Sequence, residues 1–341
     1  MPDRAGVCGQ AVDLGTFHFR GLHPSVWLGT ASDRYAGWIG QIYSPGRYEK
    51  RISRRTKTLG EKSFVEEVLP VESVAEYFEH FPVLELDFTF YRPLLDEAGK
   101  PTSNYRALET YKRYMKEGDS LILKAPQAYF ARRWWREGKY VENDQYLNSA
   151  SFTRRFYEPA VEILGHRLAG IVFEQEYQRS QDRVSAAEMA EALERFFGAL
   201  PRDDRYHVEL RTETFLCDPV FQVLRSRGIG QVLSHWTWLP SLARQFSLAG
   251  RTFFNAAGHG VVRLMTPRGV RYEEAYARAH PFDKLVDGML DPPMIEDTVS
   301  LMRHAAEAGV RLLVIVNNRA GGNAPLIARK IAERFLETLA L

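Results

Sequence analysis

Residues 83–93 read Val-Leu-Glu-Leu-Asp-Phe-Thr-Phe-Tyr-Arg-Pro, and this stretch indicates both a buried strand and a functional site within it. In an element with a period of two, the apolar residues from Leu84 to Phe90 share one face, while Glu85 and Asp87 share the other. If the strand is central in a parallel sheet, both faces are buried, and ionised acids there are costly unless something compensates for them. We therefore predict that the two acids belong to an active or binding site.

Seven further apolar runs have strand character, and helical signals lie between most of them. The eight predicted strands cover residues 26–31, 83–90, 120–126, 168–176, 205–211, 228–236, 260–266 and 312–318. Strand and helix thus alternate eight times. This alternation predicts an α/β fold, a (β/α)8 TIM-type barrel, over residues 26–341, preceded by an N-terminal extension, residues 1–25.

Helix starts are marked by capping signals. Ser185-Ala-Ala-Glu188 is a capping box, and Asp218-Pro219 and Asn323-Ala-Pro325 indicate an N-cap followed by a first turn. The connections after the strands are long, whereas those before the strands are short. The long ones cover residues 31–62, 127–150, 237–259 and 267–293. In a barrel they all lie on the C-terminal face, where enzymes of this fold carry their active sites.

Six motifs together resemble the YecE-like family, also known as domain of unknown function 72. They are WLGTA (27–31), LELDFTFYRP (84–93), ILKAP (122–126), VELR (208–211), VVRL (261–264) and NNRAGGNAP (317–325). The resemblance runs from Trp27 to the C-terminus. It implies a TIM barrel but no established activity.

The chain departs from the family pattern at three places, which indicates a divergent member. Asp87 stands where the family tends to have Asn, and Gln175-Glu176 stands where it has Gln-Pro. At the seventh strand, the sequence from Arg263 to Thr266 replaces Arg-x-His-Gly. The chemistry of this chain can therefore differ from that of other members.

The alternation of side-chain direction along each strand predicts a set of charged residues that face into the barrel. The predicted catalytic residues are Glu85, Asp87, Glu209 and Lys124. The predicted substrate-binding residues are Arg211, Arg263, Tyr91, Asn317, Asn318 and Gly322. A balanced set of buried charges is compatible with a purely structural ionic layer. In the functional interpretation, Glu85 and Glu209 exchange protons, and the cations hold an anionic substrate that is phosphorylated or sugar-like.

The last motif adds a separate expectation at the eighth strand. Asn317 and Asn318 end this strand, and glycines lead from it into a helix. Backbone amides at such a helix start bind phosphate in many barrels. The alternative is a glycine turn with an ordinary N-cap.

Composition limits the remaining possibilities. The chain has 341 residues, 45 basic and 43 acidic, and a net charge of +2, which argues against a global nucleic-acid footprint. Two distant cysteines and no long apolar run predict a cytoplasmic protein without membrane association. We find no HExxH, GxSxG, Walker or GxGxxG signature and expect neither a metal nor a cofactor. A metal-independent hydrolase, lyase or isomerase is the enzyme class that fits.

A non-catalytic barrel that binds single-stranded nucleic acid or another ligand is the alternative. Residues 129–140 interleave aromatic and basic side chains, and residues 50–57 form a second basic run. Such mixtures offer stacking surfaces beside cations that pair with phosphate. Both segments are expected on the same face of the barrel.

Overall fold

The computed structural model describes residues 12–136 and 139–340 and confirms the predicted barrel. Its strands are β1 Val26–Ala31, β2 Ser53–Leu59, β3 Lys62–Val68, β4 Val83–Leu86, β5 Ser120–Lys124, β6 Arg133–Arg136, β7 Lys139–Glu142, β8 Leu168–Glu174, β9 Tyr206–Glu209, β10 Gly230–His235, β11 His259–Leu264 and β12 Arg311–Val316. Eight of them close into a parallel barrel in the order β1-β4-β5-β8-β9-β10-β11-β12. Each predicted strand corresponds to one barrel strand.

Helices connect these strands on the outside of the barrel. They are α1 Val74–His80, α2 Ser103–Tyr114, α3 Ser149–Phe152, α4 Glu158–Leu164, α5 Ala186–Ala199, α6 Asp218–Arg227, α7 Leu242–Leu248, α8 Tyr272–Ala279, α9 Pro292–Glu307 and α10 Ala324–Leu339. A π-helical turn joins α3 to α4. The capping box at Ser185 and the N-cap at Asn323 are confirmed. At α6 the N-cap is Cys217, one residue before the predicted Asp218.

Successive side chains of a barrel strand point alternately into the barrel and toward the helices, so they form two separate hydrophobic cores. Val83, Ile122 and Val172 pack inside the barrel, while Leu84 and Leu86 pack between the sheet and the helices. The prediction that strand β4 continues to residue 90 is wrong, because β4 ends at Leu86 and a 3-10 turn follows. Asp87 is therefore the first residue beyond the strand.

Three of the four predicted long connections lie on the C-terminal face and contain structure that the sequence did not predict. The hairpin β2–β3, whose turn is Gly60-Glu61, begins in the first connection and extends beyond its predicted end to Val68, and the second connection holds the hairpin β6–β7. The connection 267–293 holds the short helix α8. The prediction for residues 237–259 is wrong, because they contain the helix α7 and return to the N-terminal end of the barrel, where the Ala256 N–H donates to the Gly228 carbonyl.

The described part of the N-terminal extension, residues 12–25, packs at the opposite end of the barrel. The Phe19 ring stacks on Phe81 with 4.7 Å between centroids. Arg20 pairs with Asp119 at 2.9 Å, next to the start of β5. Within the described residues, no helix combines the length and apolar character that crossing a bilayer requires.

Candidate functional site

Charged side chains collect inside the barrel near the C-terminal ends of its strands. The inward-facing residues are Glu85 of β4, Lys124 of β5, Glu174 of β8, Glu209 of β9 and Arg263 of β11. Asp87 and Arg211 extend the cluster just past β4 and β9. Each lies two residues beyond an inward-facing position, so the period of the strand accounts for its direction.

Arg263 is the centre of this cluster. Its guanidinium contacts Glu85 at 2.7 Å and Glu174 at 2.8 Å, and it also pairs with Glu209. The Arg263 side chain has 0% exposure. Burial lowers the pKa of Arg263, but the three carboxylates outweigh this effect and hold it well above its usual value. The arginine is therefore permanently charged and is compensated by partners from three different strands.

Two further cations link the cluster to the barrel mouth. Lys124 Nζ lies 2.7 Å from Glu174 and 3.2 Å from Asp87, and Arg211 lies 2.9 Å from both Glu174 and Glu209. Four carboxylates thus face three cations within pairing distance. The predicted charge balance is wrong by one unit, because the sequence analysis did not include Glu174.

The turn after β4 fixes the position of Asp87. Thr89 Oγ1 donates to the Lys124 carbonyl at 2.8 Å and accepts the Lys124 N–H at 3.1 Å, which ties the turn to β5. Ser32 donates to the second Asp87 oxygen at 3.2 Å. The Phe90 ring lies 4.6 Å from Lys124 Nζ and covers the ammonium from the side.

The local environment moves the carboxyl pKa values in opposite directions. Burial raises the pKa of Glu85 despite the opposing effect of Arg263. Burial also acts on Glu174, but Arg211, Lys124 and Arg263 hold its pKa far below the usual range. For Asp87, Lys124 and Arg263 outweigh burial and lower the pKa. The same cluster therefore holds one carboxyl that favours its proton and two that release theirs.

Exposure divides the cluster into two rows. Asp87 is 30% exposed, Arg211 18% and Lys124 10%, whereas Glu85 and Glu209 have no exposed surface. We call Asp87, Arg211 and Lys124 the front row. Arg263 and the three glutamates around it, Glu85, Glu174 and Glu209, form the back row. Of the front row, Asp87 lines the cavity at the mouth, where a ligand reaches it directly. The prediction that Arg263 contacts substrate is not compatible with its position, since three glutamates enclose it.

A cavity of about 520 Å³ opens beside the front row, at the ends of β12, β1 and β4. The hairpin β2–β3 and helix α8 form its outer wall. Asp87 belongs to its lining, whereas Glu85, Glu209 and Lys124 lie behind the surface. We call this space the mouth cavity. Its polar lining includes Asp33, Arg55, Lys57, Glu66, Asp87, Asn317, Asn318 and Arg319.

Asp33 is a candidate site residue that the sequence analysis did not identify. It follows β1 by two residues and is only 2% exposed. Tyr111 from α2 donates to Asp33 Oδ1 at 2.9 Å, while Oδ2 has no hydrogen-bond partner among the described residues. Burial raises the pKa of Asp33 to about 6, although Arg34 and Tyr111 oppose the shift. Its carboxyl group therefore titrates close to neutral pH.

The remaining predicted residues lie around the mouth. Tyr91 is 78% exposed and forms part of the cavity rim. Asn317 and Asn318 line the cavity, and both are buried. Gly322 has a structural role instead: its φ is +110°, and a Cβ there would lie 2.3 Å from the Lys284 carbonyl oxygen. It does not line the mouth cavity.

The predicted phosphate cradle at the start of α10 is wrong. Asn323 Oδ1 accepts the Leu326 N–H at 2.9 Å, and Asn318 Oδ1 accepts the Ala324 N–H at 2.8 Å. These side chains occupy amides that an anion would need. The backbone here forms the alternative structure, a glycine turn followed by an ordinary N-cap.

The two basic runs are largely neutralised by neighbouring acids. Across the first hairpin, Arg54 pairs with Glu67 at 2.8 Å, and Arg55 pairs with Glu66 at 2.7 Å. In the second hairpin, Arg133 pairs with Asp182 at 2.7 Å. Residues 137 and 138 of the predicted 129–140 segment lie outside the described residues.

Two histidines of the barrel strands, His207 of β9 and His235 of β10, are buried. His207 lies deeper in the barrel, with Nδ1 3.0 Å from the Arg205 carbonyl, and burial lowers its pKa to about 4. Burial also lowers the pKa of His235 to about 4. Within residues 12–136 and 139–340 there is no group of three or more His, Cys, Asp or Glu side chains arranged to hold a metal ion.

Simple sequence signals were available for both missed acids. Glu174 lies two residues beyond Val172, which faces inward, so the parity that identified Glu209 applies to it equally. Asp33 directly follows the WLGTA motif and Ser32. Acids at the carboxyl ends of barrel strands are expected to be functional. Only the fold, however, brings Tyr111 to Asp33.

These features define a TIM-barrel protein with a polar site at the C-terminal mouth. Residues 27–340 match the family described as "Protein of unknown function DUF72", and the chain belongs to this family. The predicted YecE-like resemblance is thereby confirmed. No curated protein matches the sequence.

Two solved structures of the same family share the fold. A DUF72 family protein from Thermotoga maritima has a TM-score of 0.51 and 18% identity, with 93% of this chain and 99% of that chain covered. A DUF72 family protein from Enterococcus faecalis has a TM-score of 0.52 and 14% identity, with 93% and 96% covered. At this identity the similarity shows the fold alone.

Proposed function

We propose that the chain is an enzyme that uses acid/base chemistry on an anionic small molecule, phosphorylated or sugar-like, bound in the mouth cavity. The reaction is of the hydrolase, lyase or isomerase type, with protons exchanged by the side chains of the protein itself. Asp33 and Asp87 are the proton-exchanging residues. Lys124 and Arg211 supply the positive charge that attracts the substrate.

The observation that carries this proposal is the contrast between the two aspartates of one cavity. Burial raises the pKa of Asp33 to about 6, so near neutral pH it can both give and take a proton. The Asp87 pKa is lowered despite burial, because Lys124 and Arg263 favour its ionised form. Two acids whose pKa values are pushed apart at one site are the usual arrangement for an acid and a base.

The back row has a supporting role in this mechanism. Glu85 and Glu209, the acid/base pair expected from the sequence, have no exposed surface and contact Arg263. The back row stabilises the charged forms of the front-row cations, because Glu209 pairs with Arg211 and Glu174 pairs with Lys124. Asp87 retains the catalytic role predicted for it, because it lines the mouth cavity, whereas Lys124 acts through its ion pair with Asp87.

The experiment begins with a thermal-shift screen of phosphorylated sugars, nucleotides and organic acids. A ligand that binds the folded state raises the melting temperature in proportion to its occupancy. Compounds that stabilise the wild type are then incubated with it, and products are identified by mass spectrometry. The same compounds are tested with Asp33→Asn, Asp87→Asn and Glu209→Gln.

We expect turnover to fall by about 100-fold or more in Asp33→Asn and Asp87→Asn, which is the usual loss when a general acid or base is removed. Asp144→Asn is the matched control, since Asp144 is exposed and lies outside the cavity lining. Wild-type turnover in both cavity variants would contradict the proposal. A loss in Glu209→Gln alone would return the catalytic role to the back row.

A further inference from the structure

Asn317 and Asn318 line the mouth cavity, and hydrogen bonds fix the orientation of their amide groups. Asn317 Oδ1 accepts the Arg319 N–H at 3.0 Å, and Asn318 Oδ1 accepts Trp38 Nε1–H at 3.1 Å and the Ala324 N–H at 2.8 Å. Backbone N–H and indole N–H groups can only donate, so the atom that they contact must be the amide oxygen. The other end of each amide is therefore the NH₂ donor.

Neither NH₂ group has a hydrogen-bond partner among the described residues. Nδ2 of Asn317 and Nδ2 of Asn318 are buried and make no hydrogen bond within the part of the chain that the structure describes. Both residues are 1% exposed and line the mouth cavity. An unsatisfied buried donor destabilises the folded protein, and a ligand with acceptor atoms would remove this cost.

Arg319 adds a positive charge next to the amides, and this charge also favours the ionised form of Asp87. Its guanidinium lies over the Tyr272 ring, 4.4 Å from the centroid, and its Nε has no hydrogen-bond partner among the described residues. No described carboxylate lies within 4.0 Å of its side-chain nitrogens. By contrast, Arg55 and Lys57 on the opposite wall both pair with Glu66.

We propose that Asn317, Asn318 and Arg319 form an oxyanion subsite that binds the phosphate or carboxylate end of the ligand. Two NH₂ groups and a guanidinium offer more donors than a single carbonyl oxygen can accept, whereas an oxyanion can satisfy them. The rest of the ligand then points toward Asp33 and Asp87. This inference rests on the proposed function only in taking the mouth cavity as the substrate site.

The test measures anion binding without turnover. The wild type is titrated with inorganic phosphate and, separately, with acetate, against sodium chloride of equal ionic strength. Melting temperature is the common readout, and ³¹P line width reports phosphate directly. We expect one or both anions to bind and to stabilise the protein. Binding of phosphate alone indicates a phosphorylated ligand, and binding of acetate alone indicates a carboxylate.

Asn317→Asp is the decisive variant. It retains an oxygen to accept the Arg319 N–H and replaces the free donor with a charged acceptor, so we expect at least tenfold weaker anion binding. Asn148→Asp is the matched control, because Asn148 caps α3 through its oxygen, a role that Asp fills equally well. If Asn317→Asp does not fold, Arg319→Gln removes the charge instead, with the same expected loss.

Two results would overturn the inference: neither anion binds the wild type, or Asn317→Asp and Arg319→Gln bind as tightly as the wild type. The titration involves no proton transfer, so it can succeed while Asp33→Asn and Asp87→Asn retain turnover. Conversely, those aspartate variants can lose turnover while the asparagine site fails to bind anions. The two proposals are therefore judged separately.

Discussion

Asp33 and Asp87 both lie just beyond a barrel strand, yet their carboxyl groups meet different electrostatic environments. Asp87 has an ammonium group at 3.2 Å, whereas Asp33 has a neutral phenol at 2.9 Å. A phenol stabilises a carboxylate less than a full positive charge does. At Asp87 the neighbouring cations outweigh burial, whereas at Asp33 burial outweighs Arg34 and Tyr111.

The shift at Asp33 makes the stability of the protein dependent on pH. Because the folded-state pKa of about 6 lies above the unfolded value, the contribution of protonated Asp33 is complete below about pH 4 and is lost as the pH rises through 6. We expect Asp33→Asn to raise the free energy of unfolding by up to about 3 kcal/mol at pH 8. The gain should shrink between pH 6 and pH 4.

Urea unfolding of both proteins at pH 8 and pH 4.5 measures this difference. Asn retains the oxygen that accepts from Tyr111 and is uncharged at both pH values. Asp144→Asn is the control substitution, since the Asp144 side chain is exposed. Equal stability of Asp33→Asn and the wild type at pH 8 would show that the Asp33 carboxylate is not destabilising.

At the scale of elements, the barrel strands were predictable because buried parallel strands are continuous apolar runs. The hairpin β2–β3 was missed because Ser53–Leu59 is mostly polar on both faces, so no alternation marks it. Its turn, Gly60-Glu61, nevertheless carries a glycine signal. The mouth cavity could not be predicted, since this hairpin, helix α8 and three strand ends form it together.

Close approach of β9 and β10 gives a prediction at the same scale. A Cβ on Gly230 would lie 2.2 Å from Cδ2 of the buried His207 ring, whereas one on Gly170 would have its nearest neighbours at 3.7 Å. Overpacking of a tight core costs about 1–3 kcal/mol. We therefore expect Gly230→Ala to destabilise the protein by about this amount and Gly170→Ala to be tolerated.

Thermal or urea unfolding of the two variants provides the comparison. The two glycines lie on β8 and β10, on either side of β9, and each substitution places a methyl group near His207. Gly170→Ala therefore controls for the change in backbone entropy. A double variant with His207→Ala should show a smaller cost for Gly230→Ala, because the clash has been removed. Equal effects of the two glycine substitutions would contradict the packing argument.

At the scale of the whole molecule, the net charge is +2, and many surface cations already have carboxylate partners. Affinity for nucleic acid depends on cations that are free to replace the counterions of phosphate. Among the described residues, the basic hairpins do not provide a continuous row of such cations. The buried ionic cluster and the polar mouth cavity lie instead at the C-terminal end of the barrel.

We therefore expect no retention of the protein on immobilised single-stranded DNA at about 150 mM salt, where non-specific binding is weak even for basic proteins. A salt series from low to moderate ionic strength, followed by elution profiles, checks this. Arg132→Ala combined with Arg133→Ala is the comparison. Retention that this double variant abolishes would favour the nucleic-acid-binding alternative over the enzyme.

The enclosure of Arg263 by three glutamates also restricts how this barrel can evolve. Removing one glutamate from a cluster with an excess of negative charge leaves a set that is still compensated. Removing the arginine first leaves buried carboxylates without their shared partner, a loss of about 3–5 kcal/mol in comparable cases. Successive substitutions can therefore remove the cluster around Arg263 in one order only, with the glutamates replaced before the arginine. Descendants of this protein that lack the arginine should already have lost the acids around it.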